Sequence, residues 1–194
     1  MQPARLSPAR AILYGTLVVG TLDIVDAFVF FGLRSGTTPV RILQSIASGW
    51  LGRAAYTGGA GAAALGAITH YFIAFGIVAT YLVVSRRVAV LTRHPIACGI
   101  VYGLLVYLFM NRVVIPLSAI GVATWPALPV LVNGLLIHVF GIGIPSAVAA
   151  AAAQKSKAEN EIQKVRSKNA NRPQPGCLWG LTLSFNFCLL TSNF

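Results

Sequence analysis

Two aspartates and two histidines lie inside apolar stretches of this sequence, where a titratable side chain is costly. Asp23 and Asp26, the only aspartates in the chain, fall in the run AILYGTLVVGTLDIVDAFVFFGL, and His70 and His138 fall in two later apolar runs. An aspartate costs about 2.5 to 3.5 kcal/mol at the centre of a membrane helix, so each needs polar partners on neighbouring helices. Because histidine beside a carboxylate can bind and release a proton near neutral pH, these residue types indicate proton chemistry.

The depth of each polar residue along its apolar run predicts which of them meet. Asp26 and Arg112 both lie about fifteen residues into the first and third runs, at ~1.5 Å of rise per residue. We therefore predict an ion pair between Asp26 and Arg112, to which Asn111 adds a hydrogen bond.

Asp23 lies one helical turn deeper, at the estimated level of His70 and His138 near the midplane. We expect Asp23 to be the carboxylate that is free to titrate. The residues predicted for this buried polar site are Asp23, Asp26, His70, Asn111, Arg112, Asn133 and His138, with Tyr102 or Tyr107 as further hydrogen-bonding groups.

Other roles for these polar residues compete with proton chemistry. Polar side chains in membrane helices often only fix the helix register, through hydrogen bonds worth about 1 kcal/mol, so purely structural bonding is a full alternative. Two histidines at equal depth on different helices could also ligate a b-type haem, which is a lesser alternative. We predict no metal site and no other cofactor. Since no nucleophile stands in a catalytic pattern, we expect a protein that is not an enzyme.

The elements that must position these residues are transmembrane helices. The chain is 56% hydrophobic and only 10% charged, with a mean hydropathy of +0.75, and soluble domains carry about 25% charged residues. An all-α, integral membrane four-helix bundle is predicted over residues 1–153, followed by a basic, cytoplasmic, poorly ordered tail over 154–194 that begins as a fraying extension of the fourth helix. The four predicted spans are 11–33, 61–84, 96–118 and 128–153.

The basic residues predict the orientation of the spans and the partners of the chain. One side of a four-span arrangement holds Arg5, Arg10, Arg86, Arg87, Arg93 and the six bases that follow the fourth span, while the other holds Arg34, Arg41 and Arg53. The positive-inside rule then places both termini in the cytoplasm. The net charge of +11 favours contact with the bilayer and its anionic lipid headgroups. No nucleic-acid motif is present, so no nucleic acid is expected.

A short helix is predicted between the first two spans, because Thr38 and Pro39 are typical of an N-cap and a first helical position. In VRILQSIASGWLG the apolar residues recur at helical spacing, and the polar face is predicted to consist of Arg41, Gln44, Ser45 and Ser48. This pattern predicts an interfacial helix on the outer side, with Arg41 exposed and Trp50 at headgroup depth. A helix packed on the bundle as a cap is an equal alternative, and both can hold together.

Glycines and prolines predict how closely the spans pack. Gly99 and Gly103 form a small-xxx-small pair that is typical of close contact between helix backbones. Pro116 and Pro145 predict kinks or helix ends late in the third and fourth spans. In the C-terminal segment CLWGLTLSFNFCLLTSNF, polar and apolar residues alternate as in a strand, and the three cysteines of the chain show no disulfide or zinc spacing.

Three of the spans carry recognisable segments: THYFIAFGIV in the second, FMNRVVIPLSA in the third and LIHVFGIG in the fourth. Over residues 10–150 the chain resembles an uncharacterised family of bacterial four-helix inner-membrane proteins, distantly similar to the YagU-like group. The resemblance implies a location in the bacterial inner membrane and a loose link to acid tolerance. It supplies no catalytic residues, and the aspartate pair of the first span has no counterpart in it.

The sequence thus predicts a multi-pass inner-membrane protein whose buried Asp/His/Arg site passes or senses protons or binds a small solute. The alternative is a non-catalytic structural subunit, either a homo-oligomer or a component held by a membrane partner protein.

Overall fold

A computed structural model describes residues 7–121 and 126–171 of the chain, and within these ranges every regular element is helical. The prediction of an all-α protein is therefore confirmed for the described residues. The chain divides into two compact units, Met1–Lys157 and Ala158–Phe194. The described part of the second unit is helical up to Ala170.

Four helices are long and apolar enough to cross a membrane, as predicted. They are Pro8–Ser35, Gly59–Ser85, Pro95–Leu117 and Leu128–Ala170, called here the first to fourth long helices. The fourth runs past the predicted end at 153, because residues 154–170 are rich in Ala, Lys, Glu and Gln, which favour helix. The strand-like segment and the two cysteines that follow residue 171 lie outside the described residues.

Successive long helices run antiparallel within the first unit. Gly15 of the first helix faces Val78 of the second, and Gly20 faces Tyr71. On the third helix Gly99 faces Ile144, and further along Gly103 meets the carbonyl oxygen of His138. A Cβ atom at Gly103 would collide with that carbonyl, so this glycine is required for the close approach that the sequence predicted.

The third and fourth helices each contain a π-helical turn, at Met110–Val114 and His138–Gly143. Each turn is followed two residues later by a proline, Pro116 or Pro145. Proline cannot donate the regular backbone hydrogen bond, and its ring crowds the carbonyl one turn earlier, so a widened turn relieves both problems. The two turns contain Arg112 and His138, both named in the predicted site.

The short helix Pro39–Leu51 begins as predicted, with the Thr38 hydroxyl accepting a hydrogen bond from the Arg41 backbone N–H at 3.3 Å. The turn Gly52–Thr57 then leads into the second long helix. Arg41 is exposed and lies 3.9 Å from the ring centre of Tyr56. Trp50 is 67% exposed and donates from Nε1 to the Thr69 hydroxyl at 3.0 Å.

The predicted polar face of this short helix is wrong at two positions. Gln44 and Ser48 are buried, with 6% and 4% of their surfaces exposed. The Gln44 amide donates to the Gly59 carbonyl at 3.1 Å, at the first residue of the second long helix. Leu43 is only partly buried, and its carbonyl lies against Gly66. The short helix therefore packs on the second helix partly through polar residues, which hydropathy alone assigns to solvent.

Candidate functional site

The site is organised around His70, on the second long helix, and its contacts with the first. Its Nε2 atom lies 2.8 Å from the Gly20 carbonyl oxygen. Its other ring nitrogen, Nδ1, lies 3.9 Å from Oδ2 of Asp23, and the two side chains are 11% and 28% exposed. The predicted neighbours Asp23 and His70 are thus brought together in a half-buried position between two helices.

The hydrogen bond to Gly20 determines the protonation chemistry of this pair. A carbonyl oxygen can only accept, so His70 Nε2 carries a hydrogen and donates it. In a neutral imidazole the second nitrogen is then a bare acceptor, and here it faces a carboxylate. Two acceptors repel each other unless a proton is present on one of them. The geometry therefore favours one exchangeable proton on the Asp23/His70 pair.

His138 begins the π-helical turn of the fourth helix. Its Nδ1–H donates to the Gly134 carbonyl at 2.8 Å, which leaves Nε2 as the acceptor nitrogen. Its ring packs edge-on against Tyr107, with centroids 5.1 Å apart. Asp23 is within electrostatic range of His138, His70 and Asp26. The two histidines thus present opposite tautomers, each set by a backbone carbonyl.

Asp26 has a partner on the fourth helix. Asn133 Nδ2 donates to Asp26 Oδ2 at 2.7 Å. The sequence predicts Asn133 as a member of the polar site but does not identify Asp26 as its partner. Because a hydrogen bond to a charged acceptor is stronger than one between neutral groups, this contact ties the first helix to the fourth.

Asn111 and Arg112 lie in the π-helical turn of the third helix. Asn111 donates within its own helix, from Nδ2 to the Tyr107 carbonyl at 2.9 Å. Tyr107 packs on Gly134, next to the partner of Asp26, and Arg112 lies within electrostatic range of Tyr107. The ion pair between Asp26 and Arg112 stays a prediction.

Two features of the site were missed by sequence reasoning. The Gly20 carbonyl, which orients His70, is a backbone group and leaves no side-chain signal. Thr21 and Tyr71 share a hydroxyl hydrogen bond at 3.1 Å beside the pair. Adjacency to Asp23 and His70 in the sequence was the available signal for both residues.

The described residues include no cluster of three or more His, Cys, Asp or Glu side chains suited to a metal ion. The arrangement of the two histidines also bears on haem. His70 Nε2 is engaged by Gly20, and its remaining nitrogen faces Asp23, so a haem iron would have to displace one of these contacts. The pair is better suited to holding a proton.

Comparison of the chain with protein-family models, with curated proteins and with solved structures finds no match.

Proposed function

We propose that this chain is a multi-pass protein of the bacterial inner membrane that passes protons through its helix bundle, using Asp23 and His70 as the proton-binding pair. The observation that carries the proposal is the His70 tautomer. Its Nε2–H is held by Gly20 at 2.8 Å, which turns an acceptor nitrogen toward Asp23. A proton on either group turns the contact between these two acceptors into an attractive one.

The outer surface of the helices supports a membrane location. Large apolar side chains point outward on all four long helices. Examples with 55% to 70% of their surface exposed are Leu13, Phe72, Leu105 and Phe140. Soluble proteins rarely expose contiguous apolar surface of this extent, whereas lipid covers it. The connection 86–93 and the two termini together hold eleven basic residues, against three at the opposite end, and this excess supports cytoplasmic termini.

Proton binding at this pair would also act on the packing of the helices. With one proton present, Asp23 and His70 attract each other across the first and second helices. Without it, a carboxylate and an imidazole lone pair oppose each other at 3.9 Å. His138, on the fourth helix, is the next group that can take the proton, because its Nε2 is an acceptor. Proton transfer from His70 through Asp23 to His138 would change the contacts among three helices.

A proton-flux assay in proteoliposomes tests this proposal. Under an imposed membrane potential, we expect the interior of dye-loaded vesicles that contain the wild-type protein to acidify faster than that of dye-loaded vesicles without protein. Asp23→Asn and His70→Gln should lower the rate at least tenfold, since each removes one half of the pair. His94→Gln is the matched control, because His94 is exposed in the connection before the third helix. A proton flux through wild-type vesicles equal to that of vesicles without protein would contradict the proposal and favour a structural subunit.

A further inference from the structure

An open cavity of about 530 Å³ lies at the surface beside Asp26, along one face of the C-terminal part of the first long helix and against Asn133 of the fourth. It is lined by Asp26, Val29, Phe30, Leu33, Arg34 and Asn133. The proton-binding pair, Asp23 and His70, does not line it. The cavity therefore brings together a carboxylate, an amide, a guanidinium and three apolar walls that the proton chemistry does not use.

The end of the cavity at Asp26 and Asn133 offers hydrogen-bond acceptors. Asn133 donates its amide N–H to Asp26 Oδ2, so the amide oxygen and the remaining lone pairs of the carboxylate are acceptors. A primary ammonium group has three N–H donors and a positive charge, which match this set. An anionic group would meet the charge of Asp26 at this end, where the second N–H of Asn133 is the one further donor among the described lining side chains.

The outer end of the cavity carries the opposite charge. Arg34 follows Asp26 by eight residues, or about 12 Å along a helix axis, and helical side chains lean back toward the N-terminus. The two charged groups are therefore separated by several ångströms, with Val29, Phe30 and Leu33 between them. Arg34 would bind a carboxylate or phosphate through its planar guanidinium.

We propose that this cavity binds a zwitterion whose primary ammonium and anionic group are separated by a short aliphatic chain. The ammonium lies at Asp26 and Asn133, and the anionic group lies at Arg34. The chemistry is shared by free ω-amino acids and by the aminoethyl phosphate headgroup of a lipid. A role of the ligand as a transported solute rests on the proposed function. Asp26 lies one helical turn from Asp23, so the charge of a ligand bound at Asp26 acts on the proton site.

Binding is measured by calorimetry on the full chain in nanodiscs of phosphatidylcholine and phosphatidylglycerol, which contain no primary amine. The probes for a free solute are 5-aminopentanoate, 1-aminopentane and pentanoate, which share one carbon chain. The probes for a headgroup are dihexanoyl phosphatidylethanolamine and its phosphatidylcholine counterpart. We expect either 5-aminopentanoate or dihexanoyl phosphatidylethanolamine to bind at least tenfold more tightly than its matched controls. The one that does so identifies the ligand as a free solute or as a lipid headgroup.

Arg34→Gln is the decisive variant, because Arg34 is exposed and its replacement should not disturb folding. Arg34→Gln should weaken binding of the zwitterion at least tenfold and leave binding of 1-aminopentane unchanged. Arg53→Gln, an exposed arginine outside the cavity lining, should change neither. Equal binding of the matched probes, no binding of any probe, or a zwitterion affinity that survives Arg34→Gln would overturn the site.

The same preparation separates this site from the proton route. Asp23→Asn should abolish proton flux while zwitterion binding persists, since Asp23 is not part of the cavity lining. Proton flux without binding would refute only the zwitterion site. Binding without flux would refute only the proton route.

Discussion

At the scale of single residues, backbone carbonyls set the chemistry of the polar site. Gly20 fixes one histidine with its Nε2 protonated, and Gly134 fixes the other with its Nδ1 protonated. Asp23 interacts electrostatically with both histidines. Depth along the apolar runs was sufficient to place Asp23 near His70, because the number of residues along a helix gives the depth of each side chain directly. It did not identify the Asn133 contact of Asp26, since the rotation of each helix about its axis is set by packing.

Replacing Asn133 should destabilise the bundle more than replacing Asn111. Asn133→Leu removes a hydrogen bond to a carboxylate, made at 2.7 Å between two helices, and should cost about 1 to 2 kcal/mol of unfolding free energy. Asn111→Leu removes only a bond to its own helix and should cost less than about 0.5 kcal/mol. Denaturant unfolding in mixed micelles measures both. Equal losses would show that the contact of Asn133 with Asp26 contributes nothing to stability.

The predicted pairing of Asp26 with Arg112 is testable by a double-mutant cycle. If the pair forms, Asp26→Asn combined with Arg112→Gln should recover much of the stability that each single change removes, because both charges leave together. Thermal unfolding of the three variants and the wild type gives the coupling energy. Losses that simply add would rule the pair out.

At the scale of elements, glycines and π-helical turns bring the third and fourth helices together. The small-residue pair was recognisable in the sequence, since Gly99 and Gly103 are four residues apart on an apolar helix. The widened turns were not, although Pro116 and Pro145 marked their positions. A proline indicates a disturbed turn, but whether the helix ends, bends or widens depends on the helix packed against it. The buried Gln44 was missed for a similar reason, because its partner is a carbonyl at the start of another helix.

Gly103→Ala should lower the unfolding free energy by about 2 to 3 kcal/mol, because the added Cβ would meet the His138 backbone. The matched control is Gly76→Ala on the second helix, where an added Cβ has no described atom within 4 Å. This control should be neutral or slightly stabilising, since alanine favours helix over glycine. Similar stability of the two variants, in thermal unfolding of the purified protein, would contradict the packing described for the third and fourth helices.

At the scale of the whole molecule, four antiparallel helices place the first and second connections at opposite ends. Composition and run length were enough to predict these helices, because a membrane span needs about 20 apolar residues whatever its neighbours are. The same signals could not predict the length of the fourth helix. Its polar half carries no hydropathy signal and is recognisable only by its helix-forming residues.

Cysteine labelling in intact cells tests the proposed orientation. In a background with the three native cysteines replaced by serine, Arg53→Cys should react with a membrane-impermeant maleimide, and Arg87→Cys should react only after lysis. Both positions are exposed at opposite ends of the second helix. The reverse pattern would place the termini outside the cytoplasm.

The central claim, that Asp23 and His70 hold one exchangeable proton, is tested most directly by solid-state ¹⁵N NMR of histidine-labelled protein in lipid. His70→Gln and His138→Gln assign the signals. We predict that His70 keeps a protonated Nε2, held by the Gly20 carbonyl, and that Asp23→Asn changes the Nδ1 signal but not the Nε2 signal. A neutral His70 protonated on Nδ1, or an Nδ1 signal that Asp23→Asn leaves unchanged, would contradict the account.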